Sequence, residues 1–194
     1  MSARLKFVFA LLGYAVLLYL WILLPINLYQ PTRTFHLPNL LWITHLFILY
    51  IHEAGHFFFR LFGDDLYILG GSIMQVLVPF VWFLVARHEE SALTPVAAFF
   101  TGLSLVDVSV YVRDAETRVL PLLGGHHAKH DWATFLGDHD MLDWGVPLGN
   151  IFFFLGLAIS LGAIGWGVKF SYRLFQQARL EESQQQFQQS EPSR

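Results

Sequence analysis

From Phe7 to Leu24 the chain carries no charged side chain. A run of that length can cross the ~30 Å hydrocarbon core of a bilayer as a helix. Inside lipid every backbone amide needs a partner within the protein, and a helix supplies it within one segment. Four further apolar runs follow, at 40–62, 68–86, 95–112 and 146–168. Together they predict an all-α, polytopic membrane helix bundle of about five spans, a single transmembrane domain over 1–168. A polar stretch rich in His, Asp and Gly, 113–145, separates the last two runs. A Gln-rich tail over 169–194 is expected to fray beyond its first helical turn or two.

The third run contains Gly70, Gly71 and Pro79, which mark it as kinked or partly re-entrant. "LGGSIMQ", Leu69 to Gln75, could form a bend or an exposed strand edge to which an extended peptide adds. The plain alternative is a glycine contact between packed helices.

Composition agrees with lipid as the main partner. Hydrophobic residues make up 55% of the chain and charged residues 14%, too apolar for a small soluble domain. The formal net charge of -3 offers no polybasic case for nucleic acid. The absence of cysteine excludes disulfides, thiolate metal ligands and cysteine nucleophiles. Arg4 and Lys6 precede the first run, which places the N-terminus in the cytoplasm by the positive-inside rule. A bacterial inner membrane is the expected location, and five spans would leave the two ends of the chain on opposite sides.

The second run holds "YIHEAGHFFF", Tyr50 to Phe59. Ionisable groups in a spanning helix are costly and usually mark a site. His52, Glu53 and His56 fit H-E-x-x-H. On a helix His52 and His56 lie one turn apart on one face, so both imidazoles reach one metal ion. Glu53, offset by one residue, can take a proton from a water at that ion. Two imidazoles with an oxygen ligand suit Zn²⁺. The bland alternative is a set of polar side chains facing interfacial water. His45, two turns earlier, reads as a helix-packing histidine or a group near an access path.

A catalytic zinc needs a third protein ligand, and the sequence offers several. Asp107 is a carboxylate inside the fourth run, with Ser104 and Tyr111 on its helical face. The alternative for it is a pair with Arg113. "GGHHAKHDW", Gly124 to Trp132, holds His126, His127, His130 and Asp131. His130 or Asp131 could be a ligand or could orient one. Asp143, in "MLDWG", lies just before the last run. Asp107 is the leading expectation, because its place late in the fourth run matches the depth of His52 late in the second.

In His52, Glu53 and His56 late in a span, a glycine-bearing segment after it and an aspartate two spans on, the chain resembles the site-2 protease class of intramembrane zinc metallopeptidases, the M50-like families. That resemblance implies zinc held by the two histidines and an aspartate, water activated by the glutamate, and cleavage of membrane-spanning substrates near the cytosolic face. The class usually sets its aspartate in an Asp-Gly context with an upstream Asn and Pro. Asp107 is followed by Val108, and Asp143 lies nearer that local pattern.

The expected function is therefore a zinc-dependent membrane metallohydrolase acting on a membrane protein or peptide. A membrane di-iron oxidoreductase is the alternative enzyme, invited by nine histidines and the pair His126–His127, although such sites need several ligand pairs on helices. A non-enzymatic membrane scaffold or metal-binding protein is the third reading.

Overall fold

A computed structural model of the chain describes residues 3–33, 36–123 and 129–190, with the backbone alone for 185–190. These residues form α1 (Ala3–Asn27), α2 (Asn39–Phe59), α3 (Asp64–His88), α4 (Thr94–Arg113), α5 (Asp131–Asp138) and α6 (Gly145–Ser190), with 3₁₀ turns at Arg60–Phe62 and Leu142–Trp144. No strand occurs among the described residues. The all-α bundle expected from the apolar runs is the observed fold.

Among the described residues four helices are long and apolar enough to cross a membrane: α1, α3, α4 and the stretch Leu142–Gln184 that contains most of α6. This is the build of a membrane protein. The second expected span, α2, is a 21-residue helix, but three histidines and Glu53 dilute its apolarity. Gly63, at φ 99°, ends the turn after α2, in a conformation that glycine adopts without strain. Asp64 and Asp65 then open α3, where carboxylates complement the positive end of the helix dipole.

The third run is neither re-entrant nor a strand edge. It is one continuous helix, Asp64–His88, with Pro79 inside. Gly70 and Gly71 serve contact instead of bending: a Cβ on Gly55 would collide with the Gly70 carbonyl, and one on Gly70 would meet Phe59 Cβ at 2.8 Å. The two glycines let α2 and α3 touch backbone to backbone, the small-residue packing expected in lipid.

α4 is the central helix. In its apolar window 72% of residues are buried, against 22% in α1 and 28% in α3. Its polar residues turn inward and are bonded, as Thr101 Oγ1 to the Ala97 carbonyl (3.0 Å) and Ser109 Oγ to the Val106 carbonyl (2.6 Å). Against α6 it repeats the glycine device, Gly102 facing Gly156 and Ser160.

At one end of the bundle Arg113 joins three elements. Its Nη1 donates to the Tyr29 carbonyl (2.9 Å) and its Nε to Asn150 Oδ1 (3.0 Å), while its guanidinium lies 4.7 Å from the rings of both Tyr29 and Phe153. The end of α1, the end of α4 and the start of α6 are thus together. At the opposite end Phe7 of α1 stacks on Phe175 of α6 at 4.8 Å. With α3 and α4 joined by a short turn, α1, α3, α4 and α6 alternate in direction. The first turns of α1 and the far part of α6 therefore share one side, where five spans would have separated them.

α2 packs on α3 and reaches α4 through side chains. Seven residues along α2, His45 to His52, match four along α4, Asp107 to Tyr111, or ~10 Å of helix against ~6 Å. The Gln-rich tail does not fray: α6 continues to Ser190. Beyond Val168 the sequence is richest in Gln, with Glu, Arg and Lys, good helix formers, and has no glycine or proline before Pro192.

Candidate metal centre

His52 and His56 emerge one turn apart from the inner face of α2. Their rings are fixed from behind. His52 Nδ1 lies 2.7 Å from Gln75 Oε1, and His56 Nδ1 lies 2.8 Å from the Tyr67 carbonyl. Both partners are acceptors, so each Nδ1 carries a proton, and each Nε2 faces Asp131, as a donor when protonated and as a lone pair when not. Gly71 leaves room for the His52 ring, which a Cβ there would overlap.

Both Nε2 atoms point to one carboxylate oxygen. Asp131 Oδ2 is 3.1 Å from His52 Nε2 and 3.3 Å from His56 Nε2. Two imidazole lone pairs and a carboxylate repel one another at this range unless a cation, a proton on one ring or a metal ion, sits among them. The three ligand atoms lie within 4.8 Å of one another. Tetrahedral zinc with ligands at ~2.0–2.1 Å has ligand-to-ligand edges of about 3.3 Å, close to both separations. His52, His56 and Asp131 could therefore hold a metal ion, and three protein ligands leave a fourth position open. Burial opposes the Asp131 charge, and the two histidine rings outweigh it, holding its carboxyl below the usual range.

Asp131 opens α5, and its seat is built by neighbours. His130 caps the helix, its Nδ1 accepting from the Ala133 N–H (3.2 Å), and stacks on Tyr111 at 4.2 Å. The Asp131 N–H donates to Tyr111 Oη (3.1 Å), and Trp132 Nε1 donates to Ser72 Oγ on α3 (3.0 Å). With Nδ1 accepting, the other His130 nitrogen, Nε2, bears the proton, 3.4 Å from Asp114 Oδ2. Asp114 is fully buried and accepts from the Val119 and Leu120 N–H groups and from Thr117 Oγ1. Burial disfavours its charge, but the His130 ring and these donors prevail and hold its pKa below the usual value.

Asp107 stands behind the metal group. His45 Nδ1 is 2.7 Å from its Oδ1, and Gln75 Nε2 donates to its Oδ2 (3.2 Å). The same Gln75 presents its oxygen to His52, so Asp107 reaches the group through one side chain. It does not pair with Arg113, which makes no ion pair among the described residues. Asp143 is exposed in the turn before α6. His126 and His127 lie outside the described residues. Glu53 is exposed to a cavity of about 820 Å³ that His52, His56, Asp131, Asp107 and Tyr111 also line.

Gln75 was open to discovery as the one side-chain amide in its apolar run. The roles of Asp114 and Trp132 had no local signal, since each depends on where α5 docks. Comparison with protein-family models, curated proteins and solved structures gives no match, and the functional reading rests on this geometry.

Proposed function

We propose that the chain is a zinc-dependent membrane metallohydrolase, a peptidase of the kind that M50-like proteins exemplify, acting on a membrane protein or peptide. One observation carries the reading: two imidazoles, each fixed by a hydrogen bond at Nδ1, turn their Nε2 atoms to one carboxylate oxygen at tetrahedral edge lengths. His52, His56 and Asp131 would be the ligands. Zinc held there supplies Lewis acidity, lowering the pKa of a water toward ~7 and polarising a carbonyl. Glu53, free in the shared cavity, takes the proton from the attacking water and returns it to the leaving group. The low-dielectric surroundings strengthen each of these interactions. A single three-ligand group among the described residues favours one metal over a di-iron pair.

A bacterial inner membrane with a cytoplasmic N-terminus puts Arg4, Lys6, Arg87, Lys169, Arg173 and Arg179 on the inner side, a small excess over Arg60, Arg113, Arg118 and Lys129 at the other end. The metal group sits at the other end of the bundle, beside the end of α4. In that orientation the substrate approaches from the outer face, a departure from the cytosolic cleavage that the resemblance implies.

Elemental analysis of detergent-purified protein, prepared without chelator, tests the reading. About one zinc per chain, lost in His52→Ala, is the expected result. Wild-type protein without metal would overturn it, and iron near two per chain would favour the oxidoreductase.

A further inference from the structure

We infer that Gln75 and Asp107 are positioning residues that set the tautomer and donor strength of His52; the inference rests on the metal reading above. Three buried side chains from three helices form one line. Asp107 on α4 accepts from Gln75 Nε2 on α3 (3.2 Å), and Gln75 Oε1 faces His52 Nδ1 on α2 at 2.7 Å. Gln75 is 3% exposed, His52 6% and Asp107 8%.

An amide can be turned either way, and the two ends do opposite things. With oxygen toward His52, Nδ1 must be protonated, which leaves Nε2 as the ring atom available to a metal beside Asp131. With nitrogen toward His52, the ring would have to accept at Nδ1, and Nε2 would hold the proton and point it at the metal position. Asp107 decides between these states. A carboxylate accepts only, so it selects the NH₂ end of Gln75 and sends the oxygen to His52. The Ser104 carbonyl, 3.4 Å from the same nitrogen, makes the same choice. The Asp107 charge polarises the amide, which strengthens its pull on the Nδ1 proton and makes Nε2 the better donor.

The device explains why a carboxylate is kept inside the central helix without serving as a ligand. His45 Nδ1, 2.7 Å from the second Asp107 oxygen, satisfies the remaining charge. A proton does not pass along the line, because an amide cannot exchange one without becoming an imidic acid. Its role is orientation.

The test uses full-length protein in detergent and zinc as the probe, with affinity read by chelator competition. Gln75→Leu should bind zinc 10- to 100-fold more weakly, the usual cost of losing an outer partner of a ligand. Gln75→Glu should also weaken it, because two carboxylates then face each other. Adding Asp107→Asn to Gln75→Glu restores a donor for the new carboxylate and should return affinity to within about threefold of wild type. Unchanged affinity in Gln75→Leu, or a double variant no better than Gln75→Glu, would overturn the inference. The ¹⁵N shifts of His52 in metal-free protein give an independent readout. Wild type should keep Nδ1 protonated whether or not Nε2 also holds a proton against Asp131 (3.1 Å), and Gln75→Leu should lose Nδ1 protonation in favour of Nε2; Nδ1 equally protonated in both refutes the role of Gln75. Wild type that takes no zinc refutes the metal reading, while the ¹⁵N shifts still decide the tautomer.

Discussion

Gly71→Ala removes nothing from the site and adds one methyl group, yet it should abolish tight zinc binding. The added Cβ would overlap the His52 imidazole; even the least crowded of the three nearest ring atoms, Cε1, would be 2.6 Å away, where ordinary contact begins at 3.4 Å. Relief needs the ring to withdraw by roughly 1 Å, because carbon–carbon contacts turn repulsive below about 3.5 Å. Parting the helices instead would break the backbone contact between Gly55 and Gly70. Overpacking of this kind costs about 1–3 kcal/mol of stability. Metal–ligand distances tolerate only ~0.2 Å, so the shift removes His52 as a ligand. The loss in zinc affinity should then exceed the ~100-fold upper cost of losing an outer partner. Chelator competition and a thermal melt on the same detergent sample measure both quantities. Gly13→Ala is the control: nothing lies within 4 Å of its Cβ, so zinc affinity should hold and the helix gain about 0.5–1 kcal/mol. If Gly71→Ala binds zinc within threefold of wild type, the contact between Gly71 and the His52 ring does not govern the site.

Four further outcomes are expected. Glu53→Gln should retain about one zinc per chain while losing hydrolysis of any substrate found, and metal loss in this variant would show Glu53 to be a ligand. Asp131→Ala should lose zinc and Asp143→Ala should keep it, by elemental analysis; equal metal contents would displace Asp131 from the ligand set. The Asp114 carboxyl is held below its ordinary value of 3.8, so its stabilisation is complete above that pH and is lost as pH falls through the folded value. Asp114→Asn should accordingly speed hydrogen exchange at Val119 and Leu120 at neutral pH, with the difference fading in acid; a difference that persists there would refute the carboxylate's role. Because the chain has no native cysteine, single cysteines report sidedness cleanly. In cells, Glu116→Cys should react with an impermeant maleimide from outside, and Glu90→Cys and Gln184→Cys only after permeabilisation; the latter two on opposite sides would break the four-span arrangement.

The helices were legible because each apolar run is a local property, and so was the pair His52–His56, whose meeting needs only one turn of helix. The third member of the group, Asp131, was legible only as an alternative to Asp107. Reading depth along the spans puts Asp107 and Asp131 at the same end of the bundle, and both are there. What separates them is the packing of α2 on α3, which brings His45 against Asp107 and carries His52 on to Asp131. A crossing angle follows from which glycines touch, here Gly55 and Gly70, and no single run encodes it. The same limit hid the docking of α5, an eight-residue helix whose position depends on Tyr111, Ser72 and Asp114 from other elements.

The histidine count was visible from the start, and its meaning lies in the partners. Every ion pair among the described residues joins a histidine to an aspartate: His45 with Asp107, His52 and His56 with Asp131, His130 with Asp114, His139 with Asp65. A buried lysine or arginine brings a permanent charge that must stay matched in low dielectric. Histidine can match a carboxylate as a cation or, when neutral, donate one hydrogen bond and keep a lone pair for a metal. Arg113, the buried exception, is held by carbonyl, amide and hydroxyl oxygens and by two aromatic faces. A bundle that carries buried carboxylates inside an apolar region gains from partners of adjustable charge, and this physical demand accounts for His45, His52, His56 and His130.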